Sequence, residues 1–284
     1  TRGADGRARL YINGSEVAAA EVSGGLSSWD TDMRMALGDE LVGERAWLGT
    51  YHEVAIYDRA LEASRIEKHY RTGTPRRTDG LQARYTFDEG DGRVVHDRSA
   101  REPALNLSID DPGAVRWLEE GLEVHSPALV ATEKPAQRLV KAVRDSAAFS
   151  LEAWITPARR TQTGPARIVT LSEDHSNRNF TLGQKENAYQ VRFRTTDTSA
   201  NGLPGVESGP EAESSIAAAR SPEGDRAGVF VSHGVPLELD TDRLQDGLEA
   251  EWFNPRTAER QNASRGDDGH YHPPSRRDWI LVLQ

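Results

Sequence analysis

The chain of 284 residues contains no cysteine, which removes disulfides, thiolate-held zinc and cysteine nucleophiles together. The compartment stays open, because exported proteins also do without cysteine. Aromatic residues make up only 7% and hydrophobic residues 36%, with a mean hydropathy of -0.67, so many turns and a well-solvated surface are expected. No apolar run approaches the roughly 20 residues that a bilayer-spanning helix requires, which argues against membrane insertion. Positive charge is also scarce: the net charge is -10, and Lys and Arg never gather beyond pairs such as Arg76 and Arg77. Duplex binding needs several phosphate-neutralising cations on one face, so nucleic acid is excluded as a partner. G-x-S-x-G, H-E-x-x-H, P-loop and dinucleotide fingerprints are all missing. The opening "TRGADGRARL" has neither an initiating Met nor an apolar signal region, so the chain reads as a fragment or a processed form.

What is present is mostly strand signal. "RARLYINGSEVA" alternates apolar and polar residues up to Asn13-Gly14, the pair that best tolerates the positive φ angles of a type I′ hairpin. "AFSLEAWITP" places Phe149, Leu151, Ala153 and Ile155 on one face and Ser150, Glu152 and Trp154 on the other. "RIVTL", "NFTLGQ" and "YQVRFRT" follow at short intervals, the last with Gln190, Arg192 and Arg194 opposite Tyr189, Val191 and Phe193. Two short helices are predicted, over 60–70 and 135–145. A polar, Gly- and Ser-rich stretch from 196 to 226 reads as a linker. Beyond it, "AGVFVSH", "VPLELD", "LEAEWFNP" and the doubly apolar "DWILVLQ" read as strands of a small all-β domain, the last of them central.

"GRARLYINGSEVA" followed by "WLGTYHEVAIYDRALEASRIEKHY" resembles the C-terminal half of a LamG-like, concanavalin A-type jelly roll, with Trp47, Gly49, Glu53, Val54, Ile56, Tyr57, Arg59, Ala60 and Leu61 carrying the match. Residues 83–203, through "ARYTFDEGDGRVVHDRSA" and "FSLEAWITP", resemble the N-terminal half of the same family. The halves stand in permuted order. The resemblance implies an all-β, antiparallel jelly-roll sandwich over 1–205, built from a C-half at 1–73 and an N-half at 83–203. A linker at 206–215 and a small β-sandwich at 216–284 would follow. The latter, through "EWFNPRTAE" and "GHYHPPSRRDWILVL", is similar to a collagen-binding C-terminal domain found in glycoside hydrolases. Either one chain completes its own sandwich, or 1–73 completes a neighbour's 83–203 in a self-assembling filament. Uncovered sheet edges disfavour isolated halves.

The resemblance implies a secreted or cell-surface, non-catalytic module that binds a glycan or an extracellular matrix or surface protein. Trp29 in "LSSWDTD", with Asp30 and Asp32, is the loop-borne candidate sugar platform. Family members often hold a structural Ca²⁺, and Asp88, Asp97 and Glu53 are its candidate oxygen ligands. A glycoside hydrolase is the alternative, and it requires paired acids about 5 to 9 Å apart on the concave sheet. "FDEGDG" instead carries Asp88, Glu89 and Asp91 in a Gly-rich turn. His270 and His272 in "HYHPP" read as loop histidines, since no third ligand is forced beside Asp267 and Asp268.

Overall fold

The computed structural model describes residues 1–75, 78–159, 161–208, 217–231, 237–239, 241–242, 244–255, 257–267, 269–275 and 279–284. The chain divides into two compact units, Thr1–Glu211 and Ala212–Gln284.

Unit 1 opens with strands β1 (Arg7–Ile12) and β2 (Ser15–Glu21), a hairpin turned by Asn13 and Gly14 at φ 52° and 79° as their sequence predicts. β3 (Arg34–Leu37), β4 (Gly49–Tyr57) and helix α1 (Ala63–Thr72) complete the first quarter. Then come β5 (Leu81–Tyr85), β6 (Val94–Val95), β7 (Leu107–Ile109), β8 (Val115–Leu118), β9 (Gly121–Val124), β10 (Val130–Thr132) and helix α2 (Gln137–Ser146). The last strands are β11 (Ser150–Pro157), β12 (Gln162–Ser172), β13 (Arg178–Glu186), β14 (Ala188–Phe193) and β15 (Leu203–Glu207).

The β1–β2 hairpin is a sheet by itself, and the other strands form two larger antiparallel sheets. One runs β15-β14-β13-β12-β3-β10-β7-β6, and the other β11-β4-β9-β8 with β5 also paired to β4. Strands from 1–73 and from 83–207 thus interleave within one chain. β3 lies between β12 and β10, and β4 bonds β11 on one side and both β5 and β9 on the other. The core lies between the sheets, where Trp47, Tyr51, Val54 and Ile56 of the first quarter pack with Tyr85, Val124, Ile168, Leu171, Phe180 and Phe193. Polar bonds lock the join. The Trp47 indole donates to Gln184 Oε1 at 3.0 Å, Gln162 clasps both backbone groups of Leu48 at 2.9 Å, and the Tyr51 hydroxyl donates to the Ile168 carbonyl at 2.7 Å.

The alternation of β11 holds: Leu151, Ala153 and Ile155 pack on the core, while Glu152 faces α1, accepting from Tyr57 OH at 2.6 Å and facing His69 Nδ1 at 2.9 Å. α1 begins three residues later than predicted: Leu61 N donates to Ser150 Oγ, and the N-cap residue Glu62 is extended. α2 buries Leu139, Val140 and Val143. The stretch expected to be linker from 196 instead contributes β15, which bonds to β14. Gly205 makes this possible, since a Cβ there would strike the Phe193 ring. Of the linker placed at 206–215, residues 209–215 lie outside the described residues, as do Arg76 and Arg77.

Unit 2 is one antiparallel sheet: β16 (Ala217–Arg220), β17 (Ala227–Val231), β18 (Ala250–Phe253), β19 (Arg260–Asn262) and β20 (Trp279–Leu283), in the order β16-β17-β20-β18-β19. The doubly apolar final strand is central, as expected. Of "VPLELD", Leu237 bridges Tyr271, while Val235, Pro236 and Asp240 lie outside the described residues. Val229, Val231, Leu237, Trp252, Trp279 and Leu281 form its core.

Trp47 is fully buried at the join of the two halves. Trp47→Ala is expected to cost about 3–5 kcal/mol, read as a lower urea midpoint for unit 1.

Candidate functional site

One face of the eight-stranded sheet meets the core, and the other is polar. Register places Thr170 of β12, Thr181 of β13 and Arg192 of β14 in one cross-strand row. Residues directly opposite share a face. Two bulges then re-aim arginines onto it. Between Leu171 and Ser172 of β12 the pairing partner jumps from Phe180 to Arg178, and Asn179 is the extra residue. Strict alternation from Phe180 would have turned Arg178 inward; the bulge sets it beside Ser172 instead. A second bulge, between Arg167 and Val169, leaves Ile168 and Val169 both in the core and turns Arg167 to the polar side.

The segment after β3 delivers the counter-charge. Gly38 is pinned by Tyr51 OH at 2.9 Å and by the amide of Trp47 at 2.7 Å, which carries Glu40 over the polar face. There Glu40 accepts from Arg167 Nε at 2.8 Å and from Ser172 Oγ. Thr170 Oγ1 links Ser172 Oγ at 2.9 Å to Thr181 Oγ1 at 3.0 Å. Glu40 and Arg167 are sealed, at 0% and 2% exposure. Arg178 is also 2% exposed, yet its Nε has no partner, and neither does Nε of Arg192. Arg192 Nη2 donates to the Gly202 carbonyl at 3.3 Å. Burial pulls the Arg178 pKa down to about 10, with repulsion from Arg167 adding to it and Glu40 opposing. Burial and Arg167 lower Arg192 as well. Burial likewise pushes Asp39 up, against the amides of Arg45 and Glu40 that it accepts. Three guanidinium groups therefore meet one committed carboxylate. Chemically, this is a cradle for an oxyanion.

The residues singled out by sequence lie elsewhere. Trp29 is no sugar platform: it is 1% exposed, its ring packs on Phe149 and Phe180 at 5.1 and 5.7 Å, and its indole donates to the Arg194 carbonyl at 2.8 Å. Asp30 is clasped through its backbone by Asn179, and its Oδ1 accepts from the amide of Asp32 at 2.9 Å. The calcium set is likewise corrected. Glu53 is forked by Arg84 at 2.8 and 3.3 Å, and Asp97 accepts from Arg138 Nη2 at 3.1 Å and from the amides of Arg84, Ser99 and Leu105. Asp88, in an open polar depression, meets Thr86 Oγ1 at 2.9 Å and Arg98 at 3.3 Å. Each carboxylate already has a guanidinium where a cation would sit, so these residues do not fit a calcium ion. Among the described residues, no three acids or imidazoles converge as a metal site. The rings of His270 and His272 lie 6.5 Å apart, and Asp268 is outside the described residues.

Unit 2 presents a different surface. Register aligns Phe230, Ile280, Phe253 and Arg260 in one row, and Gly228, Val282, Glu251 and Asn262 in the next. These residues lie on the sheet face opposite the buried Trp252, Trp279 and Leu281. Phe230, Phe253, Ile280 and Val282 are half-buried. Arg260 covers the Phe253 ring at 5.1 Å and pairs with Glu251. Neither this row nor the arginine cradle carries a sequence motif, although the alternation in "YQVRFRT" already sets Arg192 opposite the core.

The two-sheet sandwich of unit 1 is a concanavalin A-like jelly roll, followed by a small all-β unit. Residues 1–67 match the concanavalin A-like lectin/glucanases superfamily, and residues 206–284 match the family described as "Putative collagen-binding domain of a collagenase". No curated protein and no solved structure matches the chain. The sandwich extends well past the matched segment, through strands as far as Glu207. Both matches are of the binding-module type.

Glu40→Ala would leave Arg167 buried without its anion. A loss of about 3–5 kcal/mol is expected, measured by chemical denaturation of the full chain.

Proposed function

We propose that the chain is a non-catalytic binding part of a secreted or cell-surface protein, with unit 2 docking on a collagen-type matrix protein and unit 1 on carbohydrate. The observation that carries the first half is the row Phe230–Ile280–Phe253 with Arg260 at its end. It lies within the residues that match the collagen-binding family. Proline-rich extended chains dock on aromatic-lined faces because little ordering entropy is lost. Half-buried Phe230 and Phe253 on one pleated face suit that mode.

The non-catalytic reading is supported by the polar face of the large sheet. A retaining or inverting pair of acids needs room between two free carboxyls. Glu40 there is sealed and bound to Arg167, and Asp39 is held by two backbone amides. The reading as a self-assembling subunit has less support, because β3 and β4 already pair with strands of their own chain.

Surface plasmon resonance on immobilised triple-helical collagen peptide tests the docking. The wild-type chain is expected to bind, and Phe230→Ser with Phe253→Ser to weaken binding at least about 10-fold with an unchanged circular dichroism spectrum, as loss of aromatic anchors implies. No wild-type binding to collagen, native or denatured, would sink the collagen assignment. Light scattering is expected to give a monomer at all concentrations.

A further inference from the structure

The polar face of the eight-stranded sheet holds more cation than its own acids use. Arg167 is matched by Glu40, but Arg178 and Arg192 have no carboxylate partner among the described residues. The other nearby acids are committed: Asp39 accepts two amides, and Asp174 accepts those of Ser176 and Asn177. This happens in a chain whose net charge is -10, where acids to neutralise an arginine are plentiful.

A buried guanidinium with unmet N–H groups is costly to fold around. Here the fold goes out of its way to create one, since the bulge at Asn179 brings Arg178 to this face. Beside it stand the buried hydroxyls of Thr170, Thr181 and Ser172, which bond to one another and to Glu40 and leave the guanidinium of Arg178 without a carboxylate among the described residues. Arg192 reaches the surface: it is half-buried and leans on the Gly202 carbonyl of the 195–202 loop. Arg178 lies behind that loop, its amide bonded to the Ala200 carbonyl.

We infer that Arg178 and Arg192 form a subsite for a carboxylate carried by a sugar, so that the ligand of unit 1 is an acidic, uronate-type glycan. The planar fork of a guanidinium matches a carboxylate in a bidentate way, and the Nε of each of these two arginines is unpartnered. The inference rests on the reading of unit 1 as a carbohydrate-binding module, and it adds the chemical class of the sugar. The charge state agrees with it. Burial lowers the Arg178 pKa to about 10, so its cation opposes folding at every pH below that, and the opposition fades only as pH rises further. An anion bound at neutral pH removes that opposition.

The test is thermal unfolding of the full chain titrated with sodium galacturonate or glucuronate, against sodium acetate, sodium chloride at equal ionic strength, and neutral glucose. The wild type is expected to show a saturable rise in Tm with a uronate and none with chloride or glucose. Arg178→Met is expected to fold at least as stably as the wild type without ligand and to bind the uronate at least 10-fold more weakly. Arg192→Met, at a more exposed position, provides a second variant with the same expected loss. The inference is overturned by a flat uronate titration, by an equal response in both variants, or by a sharp fall in ligand-free Tm for Arg178→Met, which would make that arginine a structural cation. An acetate response as strong as the uronate response would remove the sugar from the assignment. Collagen binding through unit 2 is expected to be untouched by either variant, so a failure here is separable from a failure of the matrix-docking reading.

Discussion

Everything in unit 1 depends on the first quarter of the chain occupying the middle of both sheets. β3 has a partner on each side, β12 and β10, and β4 has three, β11, β5 and β9. Removing a central strand leaves two open edges per sheet, whereas removing an outer one merely shortens it. The tie is chemical as well as topological. Trp47, Leu48 and Tyr51 reach Gln184, Gln162 and Ile168 across more than a hundred residues of sequence, and the bonds of Trp47 and Tyr51 are sealed in the core. The same insertion places the 39–45 segment on the polar face, so the closure of the sandwich and the assembly of its arginine cradle are one event.

Much of this architecture is legible in the residues themselves. Period-two alternation in "FSLEAWITP" and "YQVRFRT" assigns faces correctly, because a strand with one buried side has no freedom to swap them. Asn13-Gly14 announces its hairpin, and the doubly apolar Trp279–Leu283 announces a central strand. The functional residues are less legible, for specific reasons. Trp29 sits among Ser and Asp, the signature of a loop, but Phe149 and Phe180 arrive from far along the chain to bury it. Asp88, Asp97 and Glu53 have the oxygen chemistry of cation ligands, and only the fold reveals that Arg98, Arg138 and Arg84 stand opposite them. Arg178 is hidden by a bulge, which breaks the very periodicity from which faces are read.

The two units offer surfaces of contrasting character. The sandwich carries a compact, buried concentration of positive charge on an acidic protein, suited to a small charged group and to fixed geometry. The smaller unit carries a flat, half-apolar row on a sheet face, suited to an extended partner and tolerant of variation in it. Two such surfaces on one chain would hold a composite target more tightly than either alone, provided both can engage at once.

The central position of the first quarter also sets an order of events at the ribosome. Tyr57 is made about 150 residues before Glu207 closes the far edge of the large sheet. At about 5–20 residues per second, roughly 8–30 s separate the two: β4 can pair with β5 and β9 early in that interval, whereas β3 meets its first partner, β10, only at residues 130–132. The large sheet therefore cannot close before its late strands exist, and its closure is the capture of an early strand, β3, by the later β10 and β12.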